Sequence, residues 1–132
     1  MDTNVPYAGL YSSNGASHRV LRMIETGRVV PMLSTSLLYE YEEILKRHHQ
    51  TLGLNTKNIE DVLNGLCEQG EAVIIHFLWR PQLRDPKDDH VLELAIAANH
   101  VPIITHNKRD FMAASKFDIR VVSPAEFLKE IR

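Results

Sequence analysis

The sequence predicts an α/β fold in which a central, mainly parallel sheet is covered by helices on both faces. Three observations carry this expectation. Apolar stretches with strand character alternate with amphipathic helical patterns along the chain, several of the strand candidates are unbroken apolar runs, and no Pro/Gly/Ser-rich linker, low-complexity run or internal repeat interrupts the alternation. Unbroken apolar strands need cover on both faces, which a parallel sheet between helical layers provides. With 132 residues and 44% hydrophobic content, one domain over residues 1–132 can bury a real core.

The elements follow in order. After a short opening at 2–5, a polar turn of Ser12, Ser13, Asn14 and Gly15 leads into a helix over 17–25, with Val20, Leu21 and Ile24 on one face and Gly27 as its stop. Residues 29–33 read as a short buried strand. Ser34 is the N-cap of the next helix, where Leu37, Leu38, Tyr41, Ile44 and Leu45 recur at helical spacing until His48. Thr56 or Asn58 opens a third helix whose stripe of Ile59, Val62, Leu63, Leu66 and Cys67 ends at Gly70, which places Cys67 in a core face as an inert thiol. Residues 72–78 read as a strand, and a loop with Pro81 and Pro86 precedes a helix over 88–99. A strand at 102–105, a short helix at 108–114 and a strand at 120–122 follow. Ser123, Pro124 and Glu126 then form a capping box with proline at the first helical position, opening a last helix through Ile131.

Composition excludes several classes. Collagen-like, mucin-like and disordered chains do not look like this. The longest apolar runs, such as 29–33 and 94–98, reach about five residues against the roughly 20 needed to cross a bilayer. The opening residues lack a basic-then-apolar lead, so the expected compartment is the cytoplasm. One cysteine forbids an internal disulfide. The formal charge of −2 argues at face value against nucleic acid, but carboxylates gathered in one site would leave the rest of the surface basic.

Common cofactor cradles are absent. The glycines match neither GxGxxG nor GxxxxGK, there is no HExxH, and a lone cysteine cannot build a thiolate zinc site. The histidines give no catalytic pattern: His48 and His49 sit at a helix end, His18, His90, His100 and His106 are scattered, and His76 interrupts a strand. The acids say more. In open parallel sheets the working crevice lies beyond the carboxyl ends of the strands, and Asp2, Asp88, Asp89 and Asp110 all stand near such ends. Glu40 lies in the helix after the 29–33 strand. Carboxylates from separate elements meeting at one rim make a hard-oxygen site for Mg²⁺ or Mn²⁺. Structural readings compete: Glu42 and Glu43 pair with Lys46 and Arg47 on a helix surface, Asp88 reads as an N-cap, and Asp110 could favour a helix start. Glu40 has no such partner, since residue 44 is Ile.

These segments carry a family likeness. DTNV at 2–5, the SxxLLxE pattern containing Glu40, RDPKDDHVLELA at 84–95, ITHNKRDF ending at Phe111 and VVSPAEFL near the end together resemble the PIN domain, and more narrowly the bacterial toxin branch of toxin–antitoxin modules, the VapC-like ribonucleases. The resemblance implies a PIN-like, Rossmann-like three-layer α/β/α fold and a metal-dependent endoribonuclease using Mg²⁺ or Mn²⁺. Carried over by position, the four acids are Asp2, Glu40, Asp89 and Asp110, with Asn4, Thr105, Asn107 and Asp88 lining the pocket. Asp89 is favoured because it lies 16 residues before Thr105. The implied products carry a 5′-phosphate and a 3′-hydroxyl.

The same likeness implies an RNA substrate, a cognate antitoxin protein and a homodimer, with no membrane partner. Arg80, Arg84, Lys87, Lys108 and Arg109 stand near these segments to track an RNA backbone, and Trp79 and Tyr7 are anchors or stacking residues. In one respect the sequence departs from the family: only Met1 precedes Asp2, so the first, central strand is truncated. That departure motivates an alternative, a catalytically impaired PIN domain acting as an RNA- or protein-binding module. An aspartyl-nucleophile phosphatase is disfavoured, because that chemistry needs a second acid two residues after the first, where Asn4 stands.

Overall fold

The structure is a computed structural model that describes residues 1–75 and 82–131. Seven α-helices, four short strands and two 3₁₀ segments alternate through those residues. Helix α1 (Asn4–Tyr11) and helix α2 (Ala16–Glu25) precede strand β1 (Met32–Leu33). Helices α3 (Thr35–Arg47), α4 (His49–Leu52) and α5 (Thr56–Gln69) lead to strand β2 (Glu71–Ala72). A 3₁₀ turn at Pro86–Asp88 runs directly into α6 (Asp89–Ala97), followed by β3 (Ile103–Ile104), a second 3₁₀ segment at Lys108–Phe117, β4 (Val121–Val122) and α7 (Pro124–Glu130).

The caps read from the sequence form. The Ser34 hydroxyl accepts from the Leu37 amide at 3.1 Å, and Ser123 and Glu126 close a reciprocal capping box around Pro124. Asn55 and Asn58 cap α5 in the same way. Two expectations are corrected. The opening is not a short extended piece: residues 4–11 form α1, with Pro6 in the first turn, where its missing N–H would have no intrahelical partner. Gly9 lets α1 approach α2, since a Cβ there would stand 2.5 Å from a Leu21 methyl. Cys67, expected in the core, is exposed. The buried face of α5 runs through Ile59 and Leu66, and the residue after Leu66 turns about 100° away from it.

The strands are parallel, as expected, but among the described residues they form two separate pairs. Met32 pairs with Glu71 and Leu33 with Ala72; Ile103 pairs with Val121 and Ile104 with Val122. Pro31 and Pro102 bound β1 and β3 at their starts, because proline offers no ladder N–H. The Asp2 amide donates to the Ile104 carbonyl at 2.8 Å, so Asp2 lies against β3 on the side opposite β4. An apolar cleft of about 280 Å³, lined by Met1, Met32, Val91, Ile103 and Phe127 among others, lies between β1 and β3. Among the described residues the helices therefore surround two parallel ribbons, and the single central sheet expected from the sequence is not seen. The expected strand at 72–78 is seen at Glu71–Ala72, and its residues 76–78 lie outside the described residues.

The core gathers Val20 and Ile24 of α2, Leu37 and Tyr41 of α3, and Val91, Leu92, Leu94 and Ala95 of α6 around Ile103 and Phe111. Helix α6 is buried along most of its length, which fixes where its first turn sits. No helix among the described residues is long and apolar enough to cross a membrane.

Candidate active site

Asp2 is held from three directions. Its amide is fixed by Ile104, one carboxylate oxygen accepts from the Thr3 amide at 2.8 Å, and the other accepts from the Thr105 hydroxyl at 2.7 Å. Thr105 ends the β3 segment fully buried, so its hydroxyl aims Asp2 at the carboxyl end of the parallel pair. Asn107 donates its amide to the same hydroxyl at 3.0 Å, and the Asn4 side-chain amide lies 3.4 Å from it. Thr105 thus bonds Asp2 directly, and Asn4 and Asn107 bond Thr105. The Asn4 carbonyl oxygen also accepts from the His106 amide at 3.3 Å, tying α1 to the loop after β3.

Glu40 projects from the second turn of α3 to the same rim. The Thr3 hydroxyl donates to one of its oxygens, and His90 Nε2 lies 2.5 Å from the other. Thr3 therefore bridges the two acids, with its amide on Asp2 and its hydroxyl on Glu40. Burial works to raise the Glu40 pKa, but the bonds from His90 and Thr3 and the His90 charge outweigh it, so the carboxyl lies below its ordinary value. Beside them the Tyr41 hydroxyl donates to the Met1 carbonyl, and burial, with Asp2 and Glu40 nearby, pushes that phenol well above its usual range. Burial lowers the Met1 ammonium to about 6, although Asp2 opposes the shift.

The structure separates the two neighbouring aspartates. Asp88 ends the Pro86–Asp88 turn in the N-cap position of α6 but makes no capping bond, contrary to its reading as a cap; Asp85 caps that turn by accepting from the Lys87 amide at 3.0 Å. Burial and then Asp2, Asp85, Asp110 and Glu40, in that order, together raise the Asp88 carboxyl to about 6. Asp88 therefore shares its surroundings with Asp2, Glu40 and Asp110. Asp89 faces elsewhere: it is 1% exposed, accepts from the Leu83 amide at 2.9 Å and lies 3.3 Å from the Gln82 amide. Its carboxylate holds the loop before α6. Asp110 is half-buried in the first turn of the second 3₁₀ segment, with its amide on the Asn107 carbonyl at 3.0 Å.

Among the basic candidates, Arg84, Lys87 and Arg109 are exposed, while Lys108 is paired with Glu126 at 3.0 Å. Arg80 and Trp79 lie outside the described residues. Tyr7 stacks on Tyr11 and meets the edge of His48, so it is engaged within the chain. The pairs Glu42 with Lys46 and Glu43 with Arg47 form on the outer face of α3 as expected.

Among the described residues, no three His, Cys, Asp or Glu side chains are gathered tightly enough to hold one ion directly. Asp2 and Glu40 are turned onto Thr3, Thr105 and His90. The donor chemistry nevertheless fits a hard divalent cation, because four carboxylates from four segments face one rim and no cation is among the groups acting on Asp88. Sequence reasoning missed Thr3, although it lies inside DTNV, and His90, which follows the acid pair directly.

A family model described as a PIN domain matches residues 1–109. No curated protein and no solved structure matches the chain.

Proposed function

The chain belongs to the PIN domain family, whose members are in general metal-dependent nucleases, and from that premise we propose that it is an endoribonuclease that hydrolyses RNA phosphodiester bonds with Mg²⁺ or Mn²⁺. One arrangement carries the site assignment: Thr3 bridges Asp2 and Glu40 at one rim, and these two acids, with Asp110, help hold the half-buried Asp88 carboxyl above its ordinary value. Such mutual repulsion is relieved by a bound cation. Asp2, Glu40, Asp88 and Asp110 are the residues proposed to hold it, with Asp88 in the place that spacing alone gave to Asp89. When bound, the ion would activate a water and neutralise charge on the scissile phosphate.

The chain's own contribution is placement. Thr105 and Thr3 fix both oxygens of Asp2, and Thr3 and His90 fix both oxygens of Glu40, so neither acid has to be ordered when substrate arrives. Exposed Arg84, Lys87 and Arg109 are suited to track the phosphates of a strand laid across the rim. The finer reading rests on the sequence likeness: a toxin of a toxin–antitoxin module, inhibited by a cognate antitoxin and acting as a homodimer.

A second reading has a specific observation in its favour. Without a gathered trio of ligands among the described residues, an idle PIN module that binds RNA or protein is also consistent with the site. Calorimetry with Mn²⁺ and an RNA cleavage assay with and without EDTA separate the two. Uptake of Mn²⁺ with EDTA-sensitive cleavage is the result expected of the nuclease; no uptake at millimolar Mn²⁺, or cleavage indifferent to EDTA, would sink it.

A further inference from the structure

We propose that His90 is a positioning residue that holds Glu40 at the acidic rim, an inference that rests on the nuclease reading and adds to its site a side chain no motif marks. His90 Nε2 stands 2.5 Å from a Glu40 oxygen, and the His90 side chain is 13% exposed. The two ion pairs on the outer face of the same helix differ in kind: Glu42 with Lys46 and Glu43 with Arg47 have side chains 41–65% exposed, in open solvent. The His90 pair is more buried, with side chains 13% and 30% exposed.

The other ring nitrogen fixes the tautomer. His90 Nδ1 is buried with no hydrogen-bond partner. A proton there would be an unpaired buried donor, and it would leave a bare Nε2 facing a carboxylate. In the neutral ring, the arrangement that avoids both puts the proton on Nε2, donating to Glu40. The ring stands on the second residue of α6 and is itself mostly buried, so surrounding atoms restrict its motion. Glu40 is the opposite case, a long flexible side chain on a half-open surface. Between them, His90 and Thr3 each take one of its oxygens. This is how outer partners orient a ligating carboxylate. Because Asp88 and His90 share the first turn of α6, the same contact ties the α3 acid to the α6 acid.

The test uses the whole chain and Mn²⁺ alone as probe. His90→Ala should weaken Mn²⁺ affinity by about 10- to 100-fold in calorimetry. His90→Gln, whose amide reaches the Nε2 position, should recover most of it. Cleavage by His90→Ala should fall at limiting Mn²⁺ and return substantially at saturating Mn²⁺, a rescue that a folding defect does not give. If that variant fails to fold, His90→Phe keeps the ring volume without the donor. Nitrogen NMR of the free chain gives a readout independent of activity and should show the proton on Nε2. The inference alone falls if wild type and His90→Ala bind Mn²⁺ equally while Asp88→Asn does not bind, or if the proton is on Nδ1. If wild type takes up no Mn²⁺, the nuclease reading falls and this inference with it.

Discussion

Replacing each of the two adjacent aspartates by asparagine should have opposite effects on stability, and the contrast tests where the site lies. Moving a carboxyl from 3.8 to about 6 is worth about 3 kcal/mol at full strength, which solvent screening at half-buried Asp88 cuts to about 1 kcal/mol. The sign follows from proton counting. Between about pH 4 and 6 the native chain keeps a proton on Asp88 that the unfolded chain has released, so native stability falls as pH rises through that window and is level above it. Asp88→Asn removes the penalty. In metal-free protein it should be about 1 kcal/mol more stable than wild type at pH 7, and no more stable at pH 4, while losing RNA cleavage. Asp89→Asn should do the reverse, costing about 1–3 kcal/mol at both pH values, because the amide replaces one of the two oxygens that face the Leu83 and Gln82 amides with an NH₂ that cannot accept. Urea unfolding in EDTA at the two pH values reads the stabilities, and cleavage in Mn²⁺ reads the site. An Asp88→Asn chain less stable than wild type at pH 7, or one that still cleaves RNA while folded Asp89→Asn does not, would refute the assignment.

Thr3→Val, which keeps the shape but removes the hydroxyl that Glu40 accepts from, should lower cleavage about tenfold, corresponding to about 1.4 kcal/mol of lost transition-state stabilisation. Thr3→Ser should stay near wild type, and equal cleavage by both variants would show the bridge to be idle. At the Met1 ammonium, lowered to about 6 by burial, the unfolded chain binds the extra proton, so stability should drop as pH falls from 8 through 6. Acetylating the amine should abolish that slope in thermal melts, and an unchanged slope would place its origin elsewhere. Four β-branched residues added ahead of Met1 should raise Tm by entering the cleft beside Ile104, where burying two such side chains is worth about 3–6 kcal/mol as an upper bound. An unchanged Tm would mean the cleft does not take a strand.

The fold was legible where local chemistry decides it. Ser34, Gly70 and the Ser123–Pro124–Glu126 box mark their helix ends because a cap needs only residues within one turn. Helix α1 was not legible, because Pro6 and Gly9 are helix breakers in the abstract. In place, Pro6 falls in the one turn that tolerates it, and Gly9 is demanded by a contact with α2 eight or more residues away. Strand lengths were overestimated for a related reason. An apolar run is long enough to suggest a strand, but a ladder also needs a neighbour, and among the described residues β1 and β3 each have a partner strand on one side only.

The site was legible as a list of acids and not as an arrangement. The family likeness named Asp2, Glu40 and Asp110, but spacing could not choose between Asp88 and Asp89, since neighbours at the start of a helix point about 100° apart and one residue of phase reverses their roles. The groups that hold the acids were harder still, because Thr3 reaches Glu40 across 37 positions, His90 across 50 and Thr105 reaches Asp2 across 103. The net charge illustrates the consequence. Four acids assigned to the rim leave 13 acidic against 15 basic residues elsewhere, so the formal −2 describes a local excess of carboxylate rather than an acidic surface. A chain with that distribution should repel RNA from an empty rim and admit it once a cation is bound, which makes Mn²⁺-dependent RNA affinity, and not affinity alone, the quantity that separates the nuclease from a simple binding module.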